Sequence, residues 1–121
     1  MAHTILIVEK NELNMKLFND VLQTNGYDTI QSVDSLNIIQ LAREKKPDLV
    51  FIDVQFSEIS SSGLIKTLKN SSDFLRVPII ALTANAMEKD EAILTGYGYD
   101  GYIAKPISVP VFLETVAKFL N

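Results

Sequence analysis

The run Leu49-Val50-Phe51-Ile52, closed by Asp53, constrains this chain more than any other segment. Four large apolar residues in a row do not alternate with polar ones, so a strand made of them is buried on both faces. Two-sided burial calls for helices above and below a parallel sheet. Similar apolar runs recur at Ile5-Leu6-Ile7-Val8 and Ile79-Ile80-Ala81-Leu82, and a shorter one at Tyr102-Ile103-Ala104. Each ends in chemistry: Glu9-Lys10, Asp53, Thr83 and Lys105-Pro106.

Helical patterns fill the intervals, which makes five βα units and one doubly wound α/β domain over 1–121. Asn11-Glu12 opens a helix whose apolar face reads Leu13, Leu17, Phe18, Val21 and Leu22, with Gly26 as its stop. A weak strand from Thr29 to Val33 precedes a helix burying Leu36, Ile39, Leu41 and Ala42, with Asp34 or Ser35 at its N-cap. Further helices carry Leu64, Ile65 and Leu68, then Met87 to Leu94 ended by Gly96. Val77-Pro78 leads into the fourth strand. The last helix has Ser108 as cap, Pro110 in its first turn, and an apolar side of Val111, Phe112, Val116, Phe119 and Leu120.

Composition excludes several classes. A net charge of −4 lacks the basic footprint of nonspecific nucleic-acid binding. No apolar run approaches the roughly 20 residues that span a bilayer. Met1-Ala2-His3-Thr4 runs into the first strand without a basic leader, and the absence of cysteine removes disulfides and thiolate chemistry. Both features point to a cytoplasmic address. The lone His3 reads as a solvated terminal residue rather than a metal ligand or triad member.

Ligands of open parallel sheets bind at the carboxyl ends of the strands. Glu9, Asp53, Thr83 and Lys105 all fall there, and together they point to one site rather than four separate caps. Gly96-Tyr97-Gly98-Tyr99-Asp100-Gly101 matches a dinucleotide fingerprint by letter only. It follows a helix and precedes a strand, the reverse of the required context, so it reads as a flexible turn with exposed tyrosines. Asn70-Ser71-Ser72 matches a glycosylation sequon without a secretory context, and Met15 and Met87 read as packing.

Ile7-Val8-Glu9, Asp48-Leu49-Val50-Phe51-Ile52-Asp53, Ala81-Leu82-Thr83-Ala84 and Lys105-Pro106 resemble the receiver domain of two-component response regulators, across the whole chain. Glu9 to Leu17, Glu58-Ile59-Ser60 and Lys105 to Val109 look closest to the DivK-type single-domain cell-cycle regulators of alphaproteobacteria. The resemblance implies a flavodoxin/CheY-like sheet of order 2-1-3-4-5 with five helices. It implies a stand-alone protein-interaction switch, not a turnover enzyme, in cell-cycle or cell-polarity control. Asp53 would accept a phosphoryl group from a sensor histidine kinase or phosphotransfer protein. Glu9, Asp53 and the backbone carbonyl of Gln55 would bind Mg²⁺. Lys105 would contact the phosphoryl oxygens, Thr83 would move to hydrogen-bond them, and Tyr102 would turn inward in response. Pro106 would follow a cis Lys-Pro bond. The surface of the fourth helix, fifth strand and fifth helix would read the state out to a downstream protein.

Three positions depart from the family pattern: Lys10 stands for a second acid, Ser57 for a proline and Ser61 for a glycine. An ammonium about 4 Å from Asp53, at an effective dielectric near 20, would be worth about 4 kcal/mol before desolvation. Lys10 either pairs with Asp53 in that way or swings to solvent on its flexible stem; both weaken Mg²⁺ binding. The first geometry defines an alternative, a phosphorylation-independent pseudo-receiver acting as an adaptor. A phosphatase-like hydrolase using an aspartate nucleophile is disfavoured, because Gln55 stands where its second acid belongs and no cap domain fits.

Overall fold

The structure, a computed structural model, describes residues 3–32, 38–53, 70, 76–83, 98–104 and 106–120. Its elements run β1 (Thr4–Val8), α1 (Glu12–Thr24), β2 (Asp28–Ser32), α2 (Ile38–Lys45), β3 (Leu49–Asp53), β4 (Ile79–Thr83), β5 (Gly101–Ala104) and α3 (Val109–Leu120). The five strands form one sheet in the order β2-β1-β3-β4-β5, with every pairing parallel. That is the expected sheet. The helical patterns around Leu64 to Leu68 and Met87 to Leu94 lie outside the described residues, as do Asp34, Ser35 and Leu36.

β3 is buried along its whole length, as its unalternating sequence requires, and β4 matches it. Alternate strand residues feed two apolar layers. On one face Ile5, Ile7, Leu49, Phe51, Ile80, Leu82 and Ile103 pack beneath Met15, Phe18 and Leu22 of α1 and Phe112 and Val116 of α3. Three rings interlock there, Phe112 lying 5.1 Å from Phe18 and 4.8 Å from Phe51 by centroid. On the other face Leu6, Val8, Val50, Ile52, Ile79 and Ala81 pack with Ile38 of α2 and with Tyr99.

Local chemistry sets the helix ends. The Asn11 side chain accepts from the backbone N–H of Asn14 at 3.0 Å, capping α1, and Gly26 takes a φ of +87° just past Asn25. Lys46 lies in the left-handed region, φ 48°, and Pro47 follows it, so α2 stops there. The Ser108 carbonyl accepts from the Phe112 N–H at 2.9 Å and starts α3.

Three helical faces need correction. The buried side of α1 is Met15, Phe18 and Leu22, while Leu13 is 80% and Leu17 40% exposed. α1 carries apolar residues on two stripes, and the phenylalanine with its i−3 and i+4 neighbours forms the one turned to the sheet. In α3, Val111 is exposed and Phe112 and Val116 are buried. In α2 the buried anchor is Ile38, which sequence reading passed over, and Leu41 is half-buried.

Candidate functional site

The strand order reverses between β1 and β3, whose neighbours lie on opposite sides, and a cleft opens at their carboxyl ends. Glu9 follows β1 and Asp53 ends β3, so the two acids flank this point. The Glu9 N–H donates to the Ser32 carbonyl at 3.1 Å, extending the β1–β2 ladder. Its Oε1 accepts from the Asn11 N–H at 3.1 Å. The residue that caps α1 therefore also holds the acid. Glu9 is 0% and Asp53 2% exposed. A cavity of about 230 Å³ is lined by Glu9, Lys10, Asn11 and Asp53.

Thr83 is buried at the end of β4, level with Ala104, and Asp53 is level with Leu82. Tyr102 is half-buried on β5 beside Ala81 and packs on the apolar layer that holds Tyr99. Glu9, Asp53 and Thr83 thus share one edge of the sheet, with Tyr102 below it. Lys105, Gln55, Ser57 and Ser61 lie outside the described residues, and so does the Lys105–Pro106 bond; Pro106 itself is exposed.

Lys10 is exposed, and among the described residues no ion pair joins it to Asp53. The pairing on which the adaptor alternative depends is not formed; Lys10 takes the solvent-facing geometry. His3 Nδ1 and Asp48 Oδ2, 3.7 Å apart, lie at the opposite end of the sheet and take no part in the cleft.

The donor set suits a hard divalent cation. Two buried carboxylates on one cleft repel each other, and a cation between them relieves that repulsion. Mg²⁺ needs only one or two carboxylates if waters complete its shell. Among the described residues no third acid or histidine joins the pair.

Sequence reading missed Tyr99. It is 5% exposed, not in an exposed turn, and its hydroxyl is buried without a hydrogen-bond partner. The next residue, Asp100, anchors this turn on β4: the Asp100 N–H donates to the Ile79 carbonyl at 2.8 Å, and the Asp100 Oδ2 accepts from the Ile79 N–H at 2.8 Å. Burial first, and the charge of Asp53 second, push the Tyr99 phenol well above its ordinary range. A tyrosine between Gly98 and Asp100 in a short turn carries no sequence signal for burial.

The model of the response regulator receiver domain matches residues 5–117, nearly the full length. This chain belongs to the response regulator receiver family. It is a regulatory domain, not an enzyme, and receiver domains bind Mg²⁺ in the active-site cleft. The receiver is 45% identical over 121 residues to the polar-differentiation response regulator DivK of Brucella anthropi, covering 100% of this chain and 98% of that one. DivK of Brucella ovis matches to the same extent. A chemotaxis response regulator of Vibrio cholerae, 20% identical, has the same fold with a TM-score of 0.90 over 99% of this chain and 100% of that one. The receiver domain of a sensor histidine kinase from Pseudomonas aeruginosa is 25% identical with a TM-score of 0.86, covering 99% of this chain and 98% of that one. That structure holds a magnesium ion in its active-site cleft. Among the described residues no helix is long and apolar enough to cross a membrane.

Proposed function

We propose that the receiver, acting as one unit over 1–121 in the cytoplasm, is phosphorylated on Asp53 by a sensor histidine kinase or phosphotransfer protein and works as a protein-interaction switch. The Brucella relatives' name suggests cell-polarity control. One observation carries the reading: a nearly inaccessible carboxylate ends the central strand and opens into a cavity shared with Glu9.

In the transfer, a carboxylate oxygen of Asp53 bonds to phosphorus as the phosphohistidine N–P bond breaks, and that electron pair returns to the imidazole. Such transfer is mainly positioning and charge neutralisation. Glu9 and Asp53, with the Gln55 carbonyl, would hold Mg²⁺, which supplies part of that neutralisation when bound. Lys10 lowers the affinity, because one carboxylate is missing and a cation stands nearby. Lys105 contacts the phosphoryl oxygens and Thr83 hydrogen-bonds them; the space Thr83 leaves admits Tyr102. The partner-reading surface is β5, α3 and the segment of Met87 to Leu94 that precedes β5, around Tyr102. Exposed Leu13 and Leu17 on α1 and Val109 and Val111 on α3 give an approaching phosphodonor protein an apolar ledge beside the cleft.

Phos-tag mobility after incubation with acetyl phosphate and Mg²⁺ tests the assignment. The unmodified chain should shift and Asp53→Asn should not. A shift that survives in Asp53→Asn places the phosphosite elsewhere. No shift in either chain favours the phosphorylation-independent adaptor.

A further inference from the structure

Tyr99 carries a polar atom for which the resting fold has no use. Its ring sits in the apolar layer with Ile52 and Ala81, and its oxygen is buried without a hydrogen bond. Folded proteins rarely leave such a group unsatisfied. Phenylalanine would fill the same space without the cost, so the oxygen points to a second state in which it has a partner.

The surroundings identify that state. Ile79, Ala81 and Thr83 alternate along the face of β4 that Tyr99 covers, and Tyr102 stands beside Ala81 in register and packs on the same layer. A move of Tyr102 therefore alters the layer in which Tyr99 sits, and Thr83 continues the same face of β4 toward the acid cleft. Ala81, fully buried, contributes only a methyl group to that wall. Asp53 lies near enough for its charge to act on the phenol, and together with burial it keeps the group a protonated donor. A phosphoryl group on Asp53 adds negative charge and acceptor oxygens on that side.

We propose that Tyr99 is a positioning residue of the switch: its hydroxyl lacks a partner in the resting conformation and gains an oxygen acceptor, directly or through one water, when Asp53 is phosphorylated. The missing bond raises the resting state and the new one lowers the phosphorylated state, so both bias the chain toward switching. This rests on Asp53 as phosphoacceptor.

Tyr99→Phe in the full chain removes only the oxygen. Without phosphodonor, the variant should unfold at the same temperature as the unmodified chain or higher. With acetyl phosphate and Mg²⁺, the phosphorylated fraction is read by Phos-tag and the switched fraction by the amide NMR signal of Thr83. Per phosphorylated molecule, the ratio of switched to unswitched Tyr99→Phe should fall about tenfold, which is about 1.4 kcal/mol. Lower thermal stability of the resting variant would mean that the hydroxyl already has a partner, and would overturn the proposal. Equal switched ratios in two phosphorylated chains would overturn it as well, leaving the phosphosite intact. Absence of phosphorylation in the unmodified chain removes the phosphosite and the Tyr99 role together.

Discussion

The two faces of the sheet are built on different principles. Under α1 and α3, Phe18, Phe51 and Phe112 stack among aliphatic chains, and the half-buried Tyr27 only borders that layer. Under α2, the layer itself includes Tyr99, whose hydroxyl is buried without a hydrogen-bond partner, and it borders half-buried Tyr102. The first face is closed by mutual contacts of its rings. The second holds a group that is badly served in this packing, and a layer of that kind can favour another arrangement. The difference suggests that rigidity and switching are divided between the faces, with the acid cleft on the edge where they meet.

The largest expected effect tests the rigid face. Phe112→Ala removes contacts with both other rings and should destabilise the receiver by about 3–5 kcal/mol in chemical denaturation. A cost under about 1 kcal/mol would mean that this face repacks freely and that the contrast is false. An intermediate effect concerns the edge. Lys10→Asp supplies a third carboxylate and removes a cation, and should tighten Mg²⁺ binding more than tenfold, about 1.4 kcal/mol. Equal affinities by titration would show that a solvent-facing Lys10 is electrostatically silent. The smallest effect sharpens the second face. Tyr99 has its folded pKa raised above the ordinary 10.0. The folded state therefore holds its proton longer, so this contribution to stability is fully kept below pH 10 and is lost as pH rises beyond it. Near pH 11 the unmodified chain should have lost on the order of 1 kcal/mol more than Tyr99→Phe relative to neutral pH. Parallel alkaline limbs in the two chains would place the phenol in water.

The sheet was legible because β1, β3 and β4 are apolar without alternation, and only two-sided burial accommodates that pattern. The acids at Glu9 and Asp53 were legible from position alone, since a parallel strand has one carboxyl end. Helical faces were harder. Leu13 and Leu17 are as apolar as Phe18 and Leu22, and a period of 3.6 residues admits either stripe until a partner surface selects one. Ile38 shows the same limit from the other side, because a two-turn helix offers too few residues to define a stripe.

What the sequence by itself determined is the order of the strands' chemistry: which runs must be central, and which polar residues must gather at one edge. Those follow from hydrophobicity and chain direction, both local properties. Tertiary structure alone decided the direction of Lys10 and the burial of Tyr99. An ammonium on a four-carbon stem has no preferred partner in sequence; the free-energy balance between Asp53 and water depends on the depth of the cleft. Tyr99 packs into an apolar layer built from strands distant in sequence, and its neighbour Asp100 is tied to Ile79, 21 residues away along the chain; a loop residue cannot reveal surroundings so remote.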